Sequence, residues 1–271
     1  MSIRRFATRS CWLAGAVALA FGSVAAAQAQ EAAPQPSVTY SVLHNFSNEF
    51  GGARSPATPL TPAGDGSYYG TSSGVNVNDG GTVFKLAPDG SVTILYAFTD
   101  GADGANPGAV IVDAQGNLYG TTSNGGSFSV CSNGCGVLFK LAPDGTETVL
   151  HEFNRATEGS PSSGRLLLDA NGNLYGATVI CTGQGNGCGE IFKWAPDGTF
   201  TVLHAFSNTS SQDGVNPNGD LIRDHAGNLY GTTLRGGSPT ANGGFGVIFK
   251  LAPDGTYTVL HRFAGGALEG A

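Results

Sequence analysis

The residues best suited to chemistry in this 271-residue chain are carboxylates in glycine-rich loops. Asp103, Glu158, Asp213 and Glu269 each stand in a loop leading into the first strand of a repeat unit. Such loops gather at one end of a radial fold and often form its binding face. Two carboxylates meeting at one pocket mouth could cleave a glycosidic bond. Acidic loop residues are also what any acidic surface carries, and no nucleophile–base pair stands at a fixed spacing. Asp103, Glu158 and Asp213 are therefore the candidate ligand-binding residues, and no residue takes a catalytic assignment. No H-E-x-x-H pair, P-loop or dinucleotide fingerprint occurs, and the G-x-S-x-G string at Gly70–Gly74 is not followed by the helical pattern a nucleophile elbow needs.

Other chemistry-bearing residues recur with the repeat and read as scaffold. His44, His151, His204 and His261 each lie two residues before a phenylalanine that closes a strand, with Tyr96 in that place in one unit. Equivalent positions in a radial array spread apart, so a hydrogen bond to a neighbouring loop is expected there rather than a metal site. Asp89, Asp144, Asp197 and Asp254 are turn residues, while Asp113, Asp169 and Asp224 open D-x-x-G-N turns. Such a turn offers at most two side-chain ligands, too few for calcium. No metal and no cofactor is expected. The cysteines differ, because only two units carry them: Cys131 and Cys135 in one glycine-rich loop, Cys181 and Cys188 in the equivalent loop of the next. Two local disulfides, Cys131–Cys135 and Cys181–Cys188, are the simplest of three pairings in an exported chain. A four-thiolate zinc site is the competing reading.

What must position these residues is a tandem repeat. The phrase VFKLAPDG at Val83–Gly90 returns at Leu138–Gly145, Ile191–Gly198 and Ile248–Gly255, with phenylalanines spaced 55, 53 and 57 apart. That period fits a propeller blade. Each unit parses into four short strands rich in Val, Ile, Thr, Tyr and Phe, such as Asp220–Arg223, Asn228–Thr232, Val247–Leu251 and Tyr257–Phe263. In Ala252-Pro253-Asp254-Gly255 the proline presets φ, the aspartate bonds the local backbone and the glycine takes positive φ, which makes a tight hairpin. The chain is thus expected to be all-β: a β-propeller of about four four-stranded blades of ~55 residues. One extra fourth-type strand, Val38–Phe46, precedes them.

Residues 1–29 read as a secretory signal peptide: Arg4, Arg5 and Arg9, then an apolar run from Trp12 to Ala27, then Ala27-Gln28-Ala29. Residues 30–37 read as a flexible leader, 38–264 as the propeller, and 265–271 as the start of a further repeat or a disordered tail. The expected location is secreted, periplasmic or at the cell surface, with no membrane insertion after signal cleavage. Removing the three signal arginines from 13 basic residues leaves ten against 20 acidic. That balance argues against nucleic acid and anionic membranes as partners, and leaves a glycan or a protein as ligand.

The motifs Tyr230-Gly231-Thr232-Thr233, Ile248-Phe249-Lys250-Leu251-Ala252-Pro253-Asp254-Gly255 and Thr258-Val259-Leu260-His261-Arg262-Phe263 carry a resemblance over about residues 38–264. They resemble the bacterial GloVer tandem repeat, a predicted β-propeller repeat. The resemblance implies an exported or surface-displayed protein whose relatives carry varied C-terminal anchors, and it supplies no catalytic residues or cofactor. Five fourth-type strands against four sets of the first three imply an incomplete ring. Residues 264–271 echo the start of another unit, so a fragment of a longer chain is expected. If the chain is complete, a tight ring or an open arc that oligomerises is expected.

Overall fold

The computed structural model describes residues 42–44, 46, 54–56, 58–74, 79–127, 134–162, 164–179, 189–206, 211–237 and 244–264. The chain divides into two units, Met1–Ser41 and Val42–Ala271. The first unit, with the expected signal peptide and leader, lies outside the described residues, as do residues 265–271.

Each repeat becomes one antiparallel sheet. Blade 1 holds β1 (Arg54–Pro56), β2 (Thr61–Pro62), β3 (Tyr68–Ser73), β4 (Thr82–Leu86) and β5 (Val92–Ala97). Blade 2 holds β6 (Ala105–Pro107), β7 (Ile111–Val112), β8 (Leu118–Asn124), β9 (Val137–Leu141) and β10 (Glu147–Glu152). Blade 3 holds β11 (Leu167–Leu168), β12 (Leu174–Thr178), β13 (Glu190–Trp194) and β14 (Phe200–Ala205). Blade 4 holds β15 (Val215–Pro217), β16 (Ile222–Arg223), β17 (Leu229–Arg235), β18 (Val247–Leu251) and β19 (Tyr257–Arg262). The fourth strand of each unit (β5, β10, β14, β19) is an edge of its sheet. The architecture is that of a β-propeller, as the repeat predicts.

The innermost strand departs from the sequence reading. It is a single strand such as Asp220–Arg223 there, but β15 and β16 both pair with β17, as β6 and β7 pair with β8 and β1 and β2 with β3. The cause is local. Ser55, Asn106 and Asn216 take φ of 50°, 54° and 57°, and a proline without an N–H follows each. The backbone kinks there and the ladder breaks into two short pieces.

The cores lie between blades. Val83 and Phe98 of blade 1 pack with Val110, Leu118, Val137, Phe139 and Leu141 of blade 2. Leu138 and Phe153 of blade 2 meet Leu166, Leu174, Phe192 and Trp194 of blade 3. Tyr175, Ile191 and Phe206 of blade 3 meet Leu221, Leu229, Val247 and Phe249 of blade 4. The two signature motifs interlock inside each blade. A Cβ on Gly176 of the Tyr-Gly motif would fall 2.5 Å from Cζ of Phe192, and Gly70, Gly120 and Gly231 are met by Phe84, Phe139 and Phe249 in the same way. Glycine is there because a phenylalanine ring lies across it. Residues 42–44 and 46 show no ladder pairing, yet Phe46 lies on Phe84 with ring centroids 5.2 Å apart. That repeats Phe98 on Phe139 at 5.1 Å, Phe153 on Phe192 at 5.4 Å and Phe206 on Phe249 at 5.6 Å.

Candidate functional site

The candidate acids sit at the junctions between blades, and a bulge in each fourth strand prepares their place. The pairing of β4 with β5 skips Leu95, so Phe84 faces Ile94 and Val83 faces Tyr96. The same slip falls at Leu150, Leu203 and Leu260. An extra residue bends the strand and re-aims the next side chain. Leu95 and Tyr96 accordingly both pack against the core between blades 1 and 2. The re-aimed residue then meets the acid of the loop that follows it.

At the first junction Asp103 accepts hydrogen bonds from the Tyr96 hydroxyl at 3.2 Å, from Thr99 N at 2.8 Å and from Thr99 Oγ1 at 2.6 Å. At the second, Glu158 Oε2 lies 3.0 Å from His151 Nε2 and accepts from Asn154 N at 3.1 Å. At the third, Asp213 Oδ2 lies 3.9 Å from His204 Nε2. The expected histidine role, a bond to a neighbouring loop, holds at His151. A third residue, the first of the next blade's fourth strand, completes each cluster. Phe200 stacks on His151 at 4.2 Å, and Tyr257 stacks on His204 at 4.0 Å and donates its hydroxyl to Asp213 O at 2.5 Å. Glu147 holds that strand position at the first junction.

Glu147 and Glu190 give two junctions unusual electrostatics. Burial and the Asp103 charge push Glu147 up to about 7, and its Oε1 has no hydrogen-bond partner among the described residues. Burial and the Glu158 charge push buried Glu190 up to about 6. Burial, Asp103 and Glu147 push Tyr96 up to about 12. Burial lowers His204, with Asp213 opposing. The Asp103 charge thus bears on Glu147, and the Glu158 charge on Glu190. The structure bonds Asp103, Glu158 and Asp213 at three successive junctions rather than to one another.

Asp213 also borders an open cleft of about 380 Å³ between blades 3 and 4, with Gln212, Tyr257, Thr258, Val259 and Arg262. A second cleft of about 360 Å³ lies between blades 1 and 2, walled by Tyr69, Lys85, Gln115 and Pro143 among others. Sequence reasoning singled out Asp103, Glu158 and Asp213 but missed Glu147, Tyr257 and Arg262. The signal for Glu147 was register: the other copies hold Val92, Phe200 and Tyr257 in its place.

The repeated aspartates are occupied by the fold. Asp169 accepts from Asn171 N, from Asn173 N and Nδ2, and from the Tyr175 hydroxyl, at 2.9 to 3.1 Å. Asp144 and Asp254 each accept a backbone N–H two residues on, at 2.9 Å. Among the described residues no three His, Cys, Asp or Glu side chains gather as a metal ion requires, and no helix is long and apolar enough to cross a membrane. Cys135 is buried. Cys131, Cys181 and Cys188 lie outside the described residues, so the expected pairing stays an expectation.

The sequence profile of the Gloeobacter/Verrucomicrobia repeat matches residues 32–209 and 129–271. No curated protein sequence matches the chain. A puromycin-hydrolysing peptidase of Mycobacterium tuberculosis is similar in structure, with TM-score 0.50 and 15% identity, over 78% of this chain and 29% of the peptidase. The chain thus spans less than a third of that enzyme, and the likeness is one of fold. Weaker likenesses join a putative gluconolactonase (TM-score 0.44, 18% identity, 77% of this chain and 72% of that one) and a GH43_12 protein from a capybara gut metagenome (TM-score 0.46, 16% identity, 76% and 42%).

Proposed function

We propose that the chain, which belongs to the Gloeobacter/Verrucomicrobia repeat family, is an exported propeller that acts as a binding or scaffold module at the cell surface or outside the cell. One observation carries this reading. The side chains common to all copies are used by the blades, while residues that differ between copies border an open cleft beside Asp213. An aromatic hydroxyl, a guanidinium, an amide and a carboxylate on an open wall suit a polar ligand such as a glycan or a protein loop. The apolar run from Trp12 to Ala27 and the paired cysteines of two glycine-rich loops support export into an oxidising compartment. The acidic balance favours ligands other than nucleic acid.

A glycan array run beside hydrolysis assays tests this. Binding without turnover is the expected result, with Arg262→Ala weakening it about tenfold, the worth of one charge-assisted hydrogen bond. Turnover that disappears in Asp103→Asn or Glu147→Gln would instead establish the second reading, a carbohydrate-active enzyme. That reading draws on Glu147, whose carboxyl is pushed up to about 7 by burial and the Asp103 charge, as the general acid of glycoside cleavage requires.

A further inference from the structure

Blades 1, 2 and 3 bury the face they turn to the next blade, and blade 4 leaves the same face open. Val83, Leu138 and Ile191 are fully buried, whereas Ile248 in their place is half-buried. Thr71, Thr121 and Ala177 are buried, and Thr232 is exposed. Leu95, Leu150 and Leu203 pack into the junction cores, while Leu260 is 51% exposed. Ile111 and Leu167 do the same, while Ile222 is 65% exposed. Phe245 is 51% exposed where Cys135 of blade 2 is 1% exposed. A contiguous apolar face of this kind marks an interaction surface.

Blade 1 carries the complementary opening. Leu60 is 41% and Tyr68 38% exposed, at places where Val110, Leu166 and Leu221, and Leu118, Leu174 and Leu229, are buried. The rest of that face meets Phe46 on Phe84, and His44 lies edge-on to Phe46 at 4.8 Å. His261 lies edge-on to Phe263 at the same 4.8 Å. Among the described residues no core cluster joins blade 4 to blade 1 of the same chain.

We propose that blade 4 of one copy docks head-to-tail on blade 1 of a second copy and makes the same junction that the chain makes three times within itself. The occupant follows from continuity. In every junction the forward face of one blade meets the backward face of the next, and blade 1 alone among the four keeps the inner part of such a face uncovered. Ile222 and Leu260 of one copy then cover Leu60 and Tyr68 of the other. Phe263 then displaces Phe46 from Phe84. Such a contact is heterologous, so it closes into a ring or runs on as a filament. The inference is independent of the binding reading: a monomer that still binds glycan overturns this inference alone.

Sedimentation velocity of the purified protein, from sub-micromolar to tens of micromolar, tests it. The expected result is a dimer or larger species that dissociates on dilution. Ile222→Asp/Leu260→Asp and, separately, Leu60→Asp each raise the dissociation constant roughly 100-fold, because an unpaired carboxylate enters an apolar contact. Far-UV circular dichroism checks that both variants stay folded. Mixing the two variants restores a dimer, since each supplies the face that the other lacks. A monomer at all concentrations overturns the proposal, as does an oligomer that both variants leave intact. Failure of the mixture to associate, with Leu60→Asp still dimeric alone, would replace it with a face-to-face contact of two fourth blades.

Discussion

Replacing Glu147 by glutamine isolates the electrostatics of the first junction. Burial and the neighbouring Asp103 move the Glu147 carboxyl from 4.5 to about 7. In the unfolded chain it ionises at its ordinary value, so between those pH values the native state holds a proton that the unfolded state has lost. Stability is then fully present below pH 4.5 and falls as the pH rises through about 7. A fully enclosed carboxyl so displaced would lose roughly 3 kcal/mol. Glu147 is only partly buried, and solvent screening reduces this to ~1–2 kcal/mol. Glutamine keeps the shape and has nothing to ionise. Urea titrations at pH 4.5, 6 and 8, followed by the fluorescence of buried Trp194, read the difference. The variant should gain ~1–2 kcal/mol on wild type between the two extremes. A difference between variant and wild type that does not change with pH would refute the reasoning.

Gly176→Ala should cost ~2–3 kcal/mol, because the new methyl meets Phe192 and Leu166 in a filled core. The urea midpoint reads this, and a loss under about 0.5 kcal/mol, the size of an ordinary surface change, would contradict the interlock. Asp169→Ala should cost ~2–3 kcal/mol by orphaning the donors of Asn171, Asn173 and Tyr175. Thermal unfolding checks it, and added calcium should leave the wild-type Tm unchanged.

The blades were legible in the sequence because their cause is local and repeated. Ala-Pro-Asp-Gly encodes a turn through its own dihedrals, and a phenylalanine recurring at a blade's period has to be buried the same way each time. The spacing also marked Phe46 as a further strand-closing phenylalanine, and it lies on Phe84 as Phe98 lies on Phe139. The broken inner strand was not legible, because it depends on Asn106 and Asn216 taking positive φ before proline, a conformation that tertiary context imposes against the usual preference. The junction clusters were half legible. Asp103, Glu158 and Asp213 stand out as unrepeated acids, but their partners Tyr96, His151 and His204 are turned toward them by a one-residue bulge that alternation does not predict.

The ring-on-ring contact from each blade to the next has a consequence for how such chains arise. Phe98, Phe153 and Phe206 meet Phe139, Phe192 and Phe249 at nearly the same separation, so every copy presents one surface and accepts one surface. A duplication or deletion of a single unit then joins faces already shaped for each other. Blade number can drift by recombination between near-identical segments, without any new contact having to be invented, while the loops between strands diverge on their own.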